Sequence, residues 1–234
     1  MYNRIILKLS GEALAGEKSG VNFDNDVIKA IVGQIKKIVS NGTEVALVIG
    51  GGNFWRGRSA DSKMDRCKAD QIGMLATVMN AIYVADFLNQ DGVEAVVQTP
   101  FKCGTMTEEF SKASALNHLK NGRVVIFAGG LGHPMFSTDT ITALRGAELE
   151  ADALFFAKNV DGVYDSDPNE NPNAKKIDEI KCEDIIKNNL KVIDLTAASL
   201  CFEQKIPVVI FGLNEENSIV RAVGGQKLGT IVTV

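Results

Sequence analysis

Seven short apolar runs constrain what this chain can fold into: residues 5–9, 45–49, 93–97, 124–128, 153–157, 208–211 and 230–234. They are rich in β-branched residues and almost free of polar interruptions. A strand with one wet face alternates apolar and polar residues, so near-continuous runs predict strands covered on both sides, as in a parallel or mixed sheet between helices. The intervals supply those helices. Residues 24–40 put Val27, Ile28, Ile31, Val32, Ile35, Ile38 and Val39 on one stripe, with Gly42 just past the end as a stop signal. Residues 69–89 repeat the pattern with Ile72, Leu75, Ala76, Met79 and Ile82, and residues 111–120 end before Gly122. This alternation predicts an α/β fold, a three-layer α/β/α sandwich around a largely parallel central sheet. At 234 residues the chain can bury one substantial core, and we expect a single domain over residues 1–234. Residues 159–176 are crowded with turn formers and predict a long irregular loop serving as a lid or binding surface.

Charge and cysteine usage narrow the function classes. The formal charge of -4 comes from interspersed acids and bases without a Lys/Arg block, which argues against a nucleic-acid or membrane surface. The N-terminus does not read as a signal segment, and no apolar run approaches bilayer length, so a cytoplasmic location is expected. Cys67, Cys103, Cys182 and Cys201 lack CxxC spacing, and with only His118 and His133 to assist them they predict reduced thiols and no metal site.

Lys8 interrupts the first apolar run just before Ser10 and Gly11. A buried ammonium must meet an anion, so Lys8 at a strand end beside backbone donors reads as a phosphate ligand; a lysine snorkelling from an edge strand is the bland alternative. Further glycine-rich strand ends favour the phosphate. Gly50, Gly51 and Gly52 close the second run, letting the backbone aim several N–H groups at an anion, with Arg56 near enough to add charge. Gly129, Gly130 and Gly132 follow the run at 124–128 and lead to Ser137, Thr138 and Asp139, which read either as caps of the next helix or as ligand contacts at its positive end. Asp139 can also orient Lys8 or a magnesium-bearing nucleotide, whereas His133 beside Pro134 reads as a loop-shaping residue. The strand end at residues 155–168 supplies amide, aromatic and carboxylate groups suited to a purine and ribose, although Asp161-Gly162 also reads as a plain turn. Asp70 reads as the start of a helix, where it either caps or accepts the hydroxyls of a ribose. The chain contains neither GxxxxGK[ST] nor GxGxxG, which excludes the ordinary P-loop and weakens a dinucleotide-binding reading.

Four strings, Lys8-Leu9-Ser10-Gly11-Glu12-Ala13-Leu14, Gly50-Gly51-Gly52-Asn53-Phe54-Trp55-Arg56-Gly57, Gly73-Met74-Leu75-Ala76-Thr77-Val78-Met79-Asn80 and Val160-Asp161-Gly162-Val163-Tyr164, together resemble the bacterial uridylate kinases of the amino acid kinase superfamily. The third string is the most specific, since it separates those enzymes from relatives acting on glutamate, aspartate or carbamate. The resemblance implies ATP-dependent phosphorylation of UMP to UDP. It implies Lys8, Leu9, Ser10, Gly11, Gly52, Arg56, Lys158, Asn159, Tyr164 and Asp167 around ATP. Gly51, Asp70 and the segment Leu131, Gly132, His133, Pro134, Met135, Phe136, Ser137 and Thr138 would hold UMP. Lys8, Arg56 and Asp139 would carry the chemistry. Leu131 and His133 depart from the family's small polar residues, which leaves uracil recognition to backbone groups. Magnesium delivered with ATP, a homohexamer, activation by GTP and inhibition by UTP are further implications.

The chemistry agrees with such a site. A nucleoside monophosphate has a second pKa near ~6, so its phosphate is largely dianionic at neutral pH and needs no general base. The obstacle is repulsion between two anions, which calls for cations and N–H groups holding the reactants in line. The rivals are a superfamily kinase for a carboxylate or carbamate, a nucleotide-binding storage or sensory protein on the same scaffold, and a dinucleotide-binding module.

Overall fold

The computed structural model describes residues 2–16, 22–56, 63–166, 171, 173–188, 190 and 192–234. The chain begins with β1 (Arg4–Leu9), α1 (Gly11–Ala15), α2 (Asn25–Ser40), β2 (Glu44–Ile49), α3 (Arg66–Gln90) and β3 (Ala95–Thr99). It continues through β4 (Glu108–Glu109), α4 (Lys112–Lys120), β5 (Val124–Phe127), α5 (Thr138–Glu148), β6 (Ala153–Lys158) and β7 (Val163–Tyr164). The last elements are β8 (Lys176–Ile177), β9 (Glu179–Lys181), α6 (Cys182–Lys187), α7 (Leu195–Gln204), β10 (Val208–Gly212), α8 (Ser218–Val223) and β11 (Thr230–Thr233).

Among the described residues nine strands form one sheet in the order β4-β3-β5-β2-β1-β6-β10-β11-β9. The strands from β4 to β10 run parallel, and β11 turns antiparallel beside β10, with β9 parallel to β11. Each apolar run of the sequence lies in a strand of this sheet, the third displaced two residues toward the C-terminus because the turn after α3 uses Gly92 and Val93. Side chains alternate between two cores. Ile5, Leu7, Leu9 and Phe155 face α2, α3 and α8, while Ile6 and Phe156 face α4, α5 and α7. The result is the expected three-layer sandwich, and it explains the continuous runs: each face of the central strands is covered. Full burial of one such aliphatic or aromatic side chain contributes about 1.5–3 kcal/mol.

Four expectations are corrected by the structure. Residues 159–176 are not wholly irregular, because β7 and β8 pair antiparallel as a short ribbon. On α3, the stripe Ile72, Leu75, Met79 and Ile82 is exposed, whereas Ala76, Thr77, Val78, Asn80, Ala81, Val84 and Leu88 are buried. This helix is apolar nearly all round, so periodicity could not select the packed face. The same composition makes α3, at 25 residues, long and apolar enough to cross a membrane by length and hydropathy, contrary to the expectation that no segment is; here one side of it packs on the sheet. Asp70 also does not start its helix. Asp65 is the N-cap, its side chain accepting from Lys68 N at 3.0 Å, and Asp70 lies one turn further in.

Candidate active site

Because β1, β2, β5 and β6 are parallel, their C-terminal ends meet along one edge of the sheet, where ligands of open α/β sheets bind. Period-two geometry turns Lys8 to the α5 side, together with Ile6, and it is buried at 7% exposure. Its Nζ lies 3.1 Å from Asp139 Oδ1. On the far side of the same carboxylate, Lys158 from the end of β6 places Nζ 3.3 Å from Oδ2. One buried acid thus holds two lysines at the strand ends. Burial opposes ionisation of Asp139, but Lys8 and Lys158 outweigh it and hold the carboxyl below the ordinary 3.8. Burial, aided by repulsion from Lys8, pushes the Lys158 ammonium below the ordinary 10.5 although Asp139 acts the other way.

Asp139 is presented by the start of α5. Ser137 is the N-cap, its Oγ accepting from Asp139 N at 3.0 Å and Thr140 N at 3.3 Å. The first-turn N–H groups and helix dipole add positive potential at the same edge.

Glycines bring the backbones together. A methyl group on Gly11 would lie 2.5 Å from Gly50 O, 2.6 Å from Asn53 Oδ1 and 2.7 Å from Gly52 N. The ends of β1 and β2 therefore touch main chain to main chain. Asn80, fully buried on α3, fixes this turn by donating to Gly50 O at 2.6 Å and Asn53 Oδ1 at 2.8 Å. Thr77 does the same for the end of β5, accepting from Gly129 N at 2.8 Å and donating to Met74 O at 2.7 Å. The specific string 73–80 thus braces two glycine-rich ends at once. We expect Gly11→Ala to destabilise the fold by about 1–3 kcal/mol, because every close neighbour is backbone or a fixed amide; chemical denaturation reads the loss.

Two hollows adjoin these strand and helix ends, one lined by Thr138, next to Asp139, the other by Asn159, next to Lys158. A cleft of about 240 Å³ is lined by Gly51, Trp55, Asp70, Gly73, Met74, Thr77, His133, Phe136, Ser137 and Thr138, among others. Asp70 accepts from Arg66 Nε at 3.1 and 3.2 Å and from Met135 N at 2.9 Å. Met135 adopts a φ of 74°, a left-handed conformation tied down by that contact. Of the segment expected around UMP, Leu131, Gly132, Pro134 and Met135 are not in the lining; Leu131 packs into the core beside α4 and α5. On the other side, a hollow of about 910 Å³ is lined by Glu12, Ala13, Asn159, Leu213, Asn214 and one face of α2.

The remaining expected residues are placed as follows. Leu9 is core, and Ser10 caps α1 by accepting from Ala13 N at 3.2 Å. Gly52 sits beside Glu12, which also pairs with the exposed guanidinium of Arg56. Tyr164 donates its hydroxyl to Asp161 Oδ1 at 2.6 Å, and that bond holds Asp161 below its ordinary range and lifts the phenol above its own. Asp167 lies outside the described residues. Trp55, Thr77 and Asn80 received no individual role from the sequence. Their signal was present in strings 50–57 and 73–80, but a single Trp, Thr or Asn in an apolar helix or turn has no spacing that announces a contact.

This fold and site define a class, and the chain belongs to the amino acid kinase family, which matches it over residues 3–212. Within that family it groups with the UMP kinases. It is 36% identical to the UMP kinase of Bacillus anthracis, with 99% of this chain and 96% of that one covered and a TM-score of 0.95. It is 38% identical to the UMP kinase of Ureaplasma parvum, covering 100% of both chains with a TM-score of 0.93. The uridylate kinase of Archaeoglobus fulgidus is similar at 25% identity, with 98% and 99% covered and a TM-score of 0.76.

Proposed function

We propose that the protein is a UMP kinase, transferring the γ-phosphoryl group of ATP to UMP to make UDP for pyrimidine nucleotide synthesis. The observation that carries this reading is the Lys8–Asp139–Lys158 clamp adjoining the two hollows, on a chain similar over its whole length to UMP kinases. UMP is assigned to the cleft at Gly51, Asp70, His133, Phe136, Ser137 and Thr138, with Leu131, Gly132, Pro134 and Met135 shaping the loop behind it. ATP is assigned to the larger hollow, with Asn159 at its wall, Tyr164 and Asp167 beyond it, and Lys8, Leu9, Ser10, Gly11, Gly52, Arg56 and Lys158 at the phosphate end.

Transfer is in line and direct, without a covalent intermediate, because a dianionic acceptor phosphate is already a competent nucleophile. Lys8, Lys158, Arg56 and the glycine N–H groups neutralise charge as the phosphoryl moves, and Asp139 keeps the lysines aimed. Magnesium enters on the ATP phosphates as part of the substrate. Engagement of Arg56 by Glu12 means that this guanidinium must exchange a carboxylate for a phosphate when ATP binds.

We read the chain as one domain, a reading supported by the single nine-stranded sheet that takes strands from β1 to β11. A homohexamer in the cytoplasm, activated by GTP and inhibited by UTP, completes the proposal. The exposed stripe Ile72, Leu75, Met79 and Ile82 on α3 supports assembly, since a contiguous apolar face of this kind is costly in water.

ADP release from magnesium-ATP, measured separately with UMP, CMP, glutamate, aspartate and carbamate, tests the substrate. Strong turnover with UMP is expected, and turnover with an amino acid or carbamate in its place would overturn the assignment. Asp70→Ala should raise KM for UMP roughly ten- to hundredfold with a smaller change in kcat, since a hydrogen bond to a charged group is worth about 1.5–3 kcal/mol. An unchanged KM would remove Asp70 from the acceptor site.

A further inference from the structure

Asp194 lines neither hollow, yet it is bonded to the helix that carries the clamp. It is the N-cap of α7, accepting from Ala197 N at 2.8 Å. A cap needs no more than that. The same carboxylate also reaches across to α5, where it accepts from Thr140 Oγ1 at 3.1 and 3.0 Å and from Ser137 Oγ. Ser137 Oγ is in turn the acceptor for Asp139 N at 3.0 Å. A single hydroxyl therefore separates the Asp194 carboxylate from the peptide N–H of the residue that holds both lysines.

The bonding directions make Asp194 the acceptor. Ser137 Oγ accepts from two N–H groups, so its one proton goes to Asp194. The carboxylate also favours the charged form of Lys158, opposing the burial that pushes that ammonium down. The ionisable groups around this point are Lys8, Asp139, Lys158 and the buried thiol of Cys201, which burial pushes up to about 12, so that it stays protonated and adds no charge.

We infer that Asp194 is a positioning residue for phosphoryl transfer: acting through Ser137 and Thr140, it sets the first turn of α5 so that Asp139 meets Lys8 and Lys158 together. The inference rests on the kinase reading above. It also gives α7, which contributes no residue to either hollow, a part in the reaction, since α7 becomes the anchor of the clamp.

The test compares Asp194→Asn, Thr140→Val and their combination with wild type, using UMP and magnesium-ATP. Asparagine still accepts from Ala197 N and has nearly the same volume, so the cap of α7 survives while the charge is lost. Misplacing a catalytic group by a fraction of an ångström to an ångström costs on the order of ten- to a hundredfold in rate, so kcat of Asp194→Asn should fall at least about tenfold. KM for both substrates should change less than kcat, because Asp194 lines neither hollow and reaches the UMP cleft only through Ser137. Thr140→Val should lower kcat less, and the double variant should lose less than the product of the single losses, since both changes cut one connection. Ser111→Ala, which removes the cap of α4 remote from the site, should leave kcat unchanged.

Wild-type kcat in Asp194→Asn, or fully multiplicative losses in the cycle, would overturn the positioning role while leaving the kinase reading intact. If Asp194→Asn does not fold, Thr140→Val decides, and an unaltered kcat there would overturn the role. A wild-type protein inactive on UMP would overturn the kinase reading itself, and this inference with it.

Discussion

Lys8→Ala lowers kcat by about a hundredfold and leaves KM for UMP close to that of wild type. The magnitude follows from removing one preorganised charge in a site shielded from water, worth about 3 kcal/mol of transition-state stabilisation. The selectivity for kcat follows from geometry. Lys8 rises from β1 to meet Asp139 at 3.1 Å and lines neither hollow, so in the proposed mechanism its charge acts on the group in flight and not on bound UMP. The fold should tolerate the change, because Asp139 keeps Lys158 as its partner at 3.3 Å. Steady-state kinetics of a variant with a wild-type unfolding curve checks this, and a kcat within threefold of wild type would remove Lys8 from the mechanism.

Asp139→Asn is expected to be damaging in a different way. It leaves the buried Lys8 and the half-buried Lys158 ammonium groups facing each other without a counter-charge, and breaking a fully buried pair on one side costs about 3–5 kcal/mol, an upper bound here. Turnover should fall together with stability, since the lysines lose the group that aims them. The pH dependence identifies the cause. The wild-type carboxyl has a folded pKa below its ordinary 3.8, so the stability it contributes is fully present above that value and is lost as pH falls through the folded one. The gap in unfolding free energy between wild type and variant should therefore be largest near neutrality and shrink below about pH 4. Urea unfolding at pH 7, 5 and 3 measures it. A gap of constant size would show that the loss comes from packing and not from charge.

Much of this site could be read from residue types alone, for reasons specific to each. Lys8 was legible because an ammonium inside an apolar run demands an anion, and the structure supplies one in Asp139. The glycine strand ends were legible as close approaches, although Gly11 proves to be needed first by the backbone of Gly50 and Gly52. Other features were hidden. The face of α3 could not be chosen because almost every face is apolar, and the stripe with the clearest spacing is the exposed one. The β7–β8 ribbon has only two residues per strand, too few for a period of two to show. Asp194 was invisible because an aspartate before a helix looks like an ordinary cap, and only the fold reveals that it faces Ser137 and Thr140, more than fifty residues earlier in the chain.

The destination of the phosphoryl group distinguishes a UMP kinase from a protein that only binds or hydrolyses ATP. Purified protein incubated with magnesium, UMP and ATP labelled in the γ-phosphate should move the label into UDP, one equivalent for each ADP formed. Label released as inorganic phosphate, or left on ATP that the protein binds but does not consume in the presence of UMP, would contradict it.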